Sequence, residues 1–102
     1  MNTLRILKIE PGKEPFVKEI PNTLKALQVE VGGYIQALYG SDGTVLVCNE
    51  EGRLLGLEAC CYYRSVLIFG PAFLVGNGGE EFISLTEKQI AIAMREYAKC
   101  TR

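Results

Sequence analysis

YIQALYGSDGTVLVC at 34–48 reads as two strands joined by a turn, and this stretch sets the character of the whole chain. Tyr34 to Tyr39 and Thr44 to Cys48 are apolar runs of strand length, rich in aromatic and β-branched residues. Between them Asp42-Gly43 tolerates the positive φ that a tight hairpin turn requires. An antiparallel hairpin is therefore expected in the middle of the sequence. Downstream, NEEG at 49–52 reads as a second turn leading into a strand at Arg53 to Leu57, which makes a meander. Asp42 and Asn49 each suit a turn because their side chains accept nearby backbone hydrogen bonds.

Upstream the period changes. In PNTLKALQVEVGG at 21–33, Leu24, Leu27, Gln28 and Val31 follow helical spacing, with Asn22 as N-cap and Gly32 or Gly33 as the stop. Gln28 is the polar member of that stripe. Further upstream, Leu4 to Ile9 and Phe16 to Ile20 read as a hairpin whose connection is restricted by Pro11 and Pro15. Toward the C-terminus, Glu58 to Ser65 reads as a loop across one end of the sheet. Val66 to Phe69 and Ala72 to Val75, split by Gly70-Pro71, form either one bent strand or two short ones. GNGG at 76–79 is a turn, and Glu81 to Ser84 pairs back before the last helix. Thr86 and Gln89 have capping-box spacing, Ile90, Ala93, Met94 and Tyr97 supply one apolar face, and Lys99 and Arg102 suit the C-terminal end. The expected fold is α+β, a mostly antiparallel sheet with two helices packed on one face, in a single domain over 1–102.

The 102 residues are 48% hydrophobic and 23% charged, enough for one packed core without metal or disulfide staples. Eleven basic and twelve acidic residues are scattered along the chain, which disfavours general nucleic-acid binding. Arg5 and Lys8 interrupt the opening apolar stretch, so it does not read as a signal peptide, and no apolar segment is long enough to span a membrane. The expected location is the cytoplasm. Cys60 and Cys61 are adjacent, an awkward framework for disulfides, and with Cys48 and Cys100 they read as buried thiols, the alternative being a redox or thiolate-ligand pair at 60 and 61.

Histidine is absent, which removes the commonest route to nucleophile activation and the usual neutral-pH proton shuttle. No metal constellation and no cofactor is expected. Glu50-Glu51 and Glu80-Glu81 adjoin glycine turns and read as solvated pairs, since neighbouring strand side chains point to opposite faces. GNGG lacks the Lys-Ser/Thr of a phosphate loop. Tyr34, Tyr39, Tyr62 and Tyr63, with Arg53 and Arg64 beside them, are the better binding clue, because tyrosine suits surfaces that are apolar at one end and wet at the other.

KIEPGKEP at 8–15, NTLKALQVEVGGYIQ at 22–36, VCNEEGRLLGL at 47–57 and FLVGNGGEEFISLTEKQ at 73–89, in that order, resemble the domain-of-unknown-function family numbered 3846, found in bacteria, phages and mobile elements. Members often carry an Asn-Arg pair after the central Asn-Glu-Glu-Gly-basic segment. Here EACCYYRS at 58–65 keeps Arg64 as the basic member, and Cys60 to Tyr63 depart from the pattern. The resemblance implies an accessory protein of a phage or mobile element, with action against a host defence system as the role to test. It also implies a candidate binding surface of Gln28, Gly33, Tyr34, Asn49, Glu50, Glu51, Arg53 and Arg64.

The functional expectation is a non-enzymatic binder of a small molecule or host protein, centred on residues 49–53. Two alternatives stand beside it. One is a self-associating module that pairs a sheet edge or its outer aromatic face with a second copy. The other is a small hydrolase or nucleotide-modifying enzyme using Glu50 or Glu51, which needs a carboxylate set in a pocket.

Overall fold

Two strands covered on both faces hold the centre of the molecule. The computed structural model describes residues 3–98. In it β4 (Thr44–Asn49) is buried at every position, and β7 (Ala72–Asn77) at every position but the last. Strands covered on both faces lose the polar alternation of half-exposed ones. β7 pairs antiparallel with β4 on one side and with β1 (Thr3–Ile9) on the other. β2 (Phe16–Pro21) lies outside β1, and β3 (Ile35–Tyr39) lies outside β4, so the order is β2-β1-β7-β4-β3. The short β8 (Phe82–Ile83) pairs with the far end of β7.

The register sorts side chains between two faces, because residues opposite each other in a ladder point the same way. Leu4, Ile6, Ile20, Val45, Val47, Phe73 and Val75 form one core with Leu27 and Val31 of α1 (Leu24–Val31). Leu7, Ile9, Leu46, Cys48, Ala72 and Leu74 form the other, with Ala93 and Tyr97 of α2 (Glu87–Tyr97). A separate hairpin, β5 (Ala59–Tyr63) with β6 (Val66–Phe69), adds Cys60, Cys61, Tyr63 and Ile68 to this second core. The α+β class and the antiparallel sheet with two helices packed on it are as the sequence indicates. The helices divide between the faces, rather than sharing one, because β4 and β7 are apolar on both sides and each side needs a cover.

Several local features differ from the sequence reading. Thr23, not Asn22, caps α1, its hydroxyl accepting from the Ala26 N–H at 3.1 Å. The buried stripe of α1 is Leu27, Glu30 and Val31, while Leu24 is 60% exposed. Gly32 ends the helix in the left-handed conformation, as its position suggests. Residues 53–57 form turns rather than a strand, with Leu55 N–H bonded to Glu51 O and Leu57 N–H to Gly52 O. Residues 59–63 form β5 rather than a loop. A register shift between Ala59 and Cys61 lets the adjacent Cys60 and Cys61 both turn inward, which hides the alternation that marks a strand.

The strands at 66–69 and 72–77 are two, and they belong to different sheets. α2 begins on the expected capping box, with Thr86 Oγ1 accepting from Gln89 N–H and Gln89 Oε1 from Thr86 N–H. Lys99, Cys100 and Arg102 lie outside the described residues.

Candidate functional site

Asn49 closes β4 and ties together most of the candidate surface. Its side chain is 4% exposed. Nδ2 donates to the Val31 carbonyl at 3.0 Å, and Oδ1 accepts from the Glu51 N–H at 2.7 Å. The amide therefore joins the last turn of α1 to the turn at 50–52, and its burial is compensated. Gly33 is glycine for space: a Cβ there would stand 2.9 Å from Asn49 Nδ2. Gln28 and Tyr34 enter through their main chains. The Gln28 carbonyl accepts from Gly32 and Gly33, and the Tyr34 carbonyl from the Glu50 N–H at 2.8 Å. The Tyr34 ring is 66% exposed.

From this node the turn reaches over the second face. Gly52 is buried, and a Cβ on it would strike the Phe69 carbonyl, so the turn is pressed against the end of β6. Arg53 lies over the Phe69 ring, 5.8 Å from its centroid. Between turn, β3 and β6 is a cleft of about 140 Å³ lined by Gln36, Leu38, Cys48, Asn49, Glu50, Gly52, Arg53 and residues 66–69. Its walls are apolar at Leu38, Ile68 and Phe69, and its rim carries one acid and one base. Glu50 lines the cleft at its solvent-exposed rim, and Glu51 is exposed and does not line it.

Arg64 lies elsewhere. It belongs to the β5–β6 turn, at the end of β4 opposite Asn49, and β4 separates the two ends by roughly 17 Å at the usual strand rise. Arg64 and Ser65 both have positive φ, 50° and 71°, the combination a two-residue hairpin turn demands and only Gly, Asn or Asp meet cheaply. Arg64 Nη2 donates to Ser41 Oγ at 3.3 Å and stands 3.7 Å from Asp42 Oδ1. Asp42 in turn accepts from Thr44 Oγ1 at 2.6 Å and Thr44 N–H at 3.2 Å. Those Thr44 bonds, aided by Arg64, outweigh partial burial and hold the Asp42 carboxyl below its usual range. The Tyr63 hydroxyl is buried beside this group, next to the Arg64 guanidinium. Glu80, Glu81 and Gly79 line a different hollow with Asn22, Tyr39, Asn77 and Phe82.

Two buried clusters complete the chemistry. Glu30, 7% exposed, receives Lys8 Nζ at 2.7 Å and Lys18 Nζ at 2.8 Å. Burial alone would raise its carboxyl pKa, but the hydrogen bonds from Lys18 and Lys8 with their charges prevail and lower it. Sequence reasoning missed this triad. The hint it offered was an acid one position before Val31 in the helical stripe, with lysines two positions from the core residues Ile6 on β1 and Ile20 on β2. On the other face Cys48, Cys60 and Cys61 are free and buried. The hydrogen bond with Cys60, then burial, pushes the Cys61 thiol far up, and burial raises Cys48. Cys48 and Cys61 are thereby disfavoured as thiolates, and all three side chains pack into the second core.

Gln36 and Phe69 were not foreseen as site residues, since only the pairing of β3 with β4 and the return of β6 bring them to the turn. Among the described residues no helix is long and apolar enough to cross a membrane, and no group of three or more Cys, Asp or Glu side chains is placed to hold a metal ion. A family model described as Domain of unknown function (DUF3846) matches residues 4–99. No curated protein and no solved structure matches the chain. With nearly its whole length matched, the chain belongs to that family.

Proposed function

We propose that this family member is a non-enzymatic binding module that grips a partner protein with the 49–53 turn. The observation that carries this reading is the cleft itself. Ligand pockets that enclose a metabolite usually occupy roughly 300–1,000 Å³, and this one measures about 140 Å³. That volume suits one or two side chains of a partner segment. Leu38, Ile68 and Phe69 give them apolar contact, Gln36 offers a hydrogen-bonding group, and Glu50 and Arg53 at the rim select charge. Asn49 holds the turn in place before binding, which lowers the ordering cost that a loose loop would carry. The setting that fits the family is a cytoplasmic accessory protein of a phage or mobile element, with a host protein as the partner.

The test is affinity purification from the natural host with wild-type protein, Arg53→Glu, Glu50→Arg and the distant control Lys88→Glu. A partner retained by wild type and the Lys88→Glu control, and lost with both cleft variants, supports the seat. A partner held equally by all four places binding elsewhere. Turnover of a small molecule that depends on Glu50 or Glu51 would instead favour the hydrolase alternative.

A further inference from the structure

The two edges of the main sheet are finished in different ways. β2 ends one side with Lys18 and Glu19 between Pro15 and Pro21, the charges and prolines that keep an edge from pairing with another chain. β3 ends the other side with none of them. Residues 34–40, YIQALYG, contain no charge and no proline, and the flanking Tyr34 and Tyr39 are both exposed. The outer main chain of this edge is separate from the 49–53 turn, while the side chains of Gln36 and Leu38 also line the cleft; pairing is therefore read at Ala37, which the cleft does not include.

The hydrogen-bond phase of β3 is fixed by its neighbours. Glu50 N–H donates to Tyr34 O and Gly40 N–H to Thr44 O. Residues 34 and 40 thus turn their main-chain groups toward β4, and by alternation Ile35, Ala37 and Tyr39 turn theirs outward. Among the described residues β3 pairs with β4 alone.

We infer that β3 is a self-pairing edge, whose partner is β3 of a second copy of this chain, antiparallel about a twofold axis through Ala37. In that register Ala37 meets its own copy, and Ile35 meets Tyr39 of the partner subunit. The outward groups of these residues exchange about six hydrogen bonds. Ala37 on the axis is small enough to meet itself without crowding. The pairs of Ile35 with the partner's Tyr39 are the β-branched and aromatic combination that stabilises adjoining strands. Uncharged Gln36 comes opposite Leu38 of the partner subunit, so no like charges meet along the seam. A twofold contact of this kind closes on itself and gives a dimer, not a filament.

Sedimentation velocity of the full chain tests this. Over about 1 to 500 μM the mass is expected to rise from that of one chain, 11.3 kDa, toward twice that value. Amide exchange at Ile35, Ala37 and Tyr39 should slow at the high end. Ala37→Pro removes an outward donor without touching the β4 ladder, and Ala37→Lys sets two cations against each other on the axis. Each is expected to weaken association at least about tenfold, with the folded circular dichroism spectrum of the single chain kept. A single-chain mass at every concentration overturns the inference. So does a dimer that both substitutions leave intact, or one in which the three amides gain no protection.

Discussion

β4 is flanked at each end by a short polar side chain that accepts from a backbone N–H two residues on, yet the two ends are built to different standards. Asn49 is buried and bonds a helix 18 residues away as well as its own turn. Asp42 is exposed and keeps to Thr44, with Arg64 as a loose neighbour at 3.7 Å. The same local chemistry becomes a long-range tie where an element covers it and remains a turn where none does. That is why the candidate surface collects at the Asn49 end and leaves Arg64 out.

The largest break in this comparison should come from the other anchor of α1's last turn. Glu30→Ala leaves Lys8 buried without its closest partner and is expected to cost about 3–5 kcal/mol, read as a lower urea midpoint. Asn49→Asp should follow, at about 3 kcal/mol near neutral pH, because a buried carboxylate then faces the Val31 carbonyl it can no longer donate to. Burial raises that new carboxyl, so its penalty relative to wild type should shrink on acidification. Asp42→Asn, the converse exchange, should cost under about 1 kcal/mol, since the amide oxygen still accepts from Thr44.

The wild-type protein has the opposite pH sign. Glu30 and Asp42 both have lowered folded pKa values. The stability they contribute is present above their ordinary values of 4.5 and 3.8, and is lost as pH falls below these through the folded values. Glu30→Gln should flatten the acid limb of a stability–pH profile, and a limb unchanged by that substitution would remove Glu30 as its cause. Gly33→Ala falls between Asn49→Asp and Asp42→Asn, at about 1–2 kcal/mol, because the Asn49 amide must shift by a few tenths of an ångström. Arg53→Glu should change thermal stability by under about 0.5 kcal/mol, as expected of an exposed residue, while abolishing partner capture. A large loss of stability there would make Arg53 structural instead.

The parts of the fold written in local pattern were legible. The hairpin about Asp42-Gly43, the β1–β2 hairpin and the capping box at Thr86 depend on neighbours in sequence, and each stands where its residues point. The parts written in tertiary cover were not. Cys60-Cys61 conceals β5 because a register shift turns both inward, and Arg53 to Leu57, apolar enough for a strand, finds no ladder and coils into turns. For the site, Asn49, Glu50 and Arg53 were readable as a polar turn beside a strand. Gln36 and Phe69 were not, being joined to that turn only by strand pairing and by the contact of Gly52 with Phe69.

The order β2-β1-β7-β4-β3 also fixes a timetable. β1 is translated first, but its inner neighbour β7 begins at Ala72. Until a ribosome has released that segment, the N-terminal hairpin can only wait with Leu7 and Ile9 uncovered. Closure of so long a loop comes late in folding. The slowest event in acquiring this structure should therefore be the insertion of β7 between two hairpins already formed, and it is during that interval that the nascent chain has most need of a chaperone.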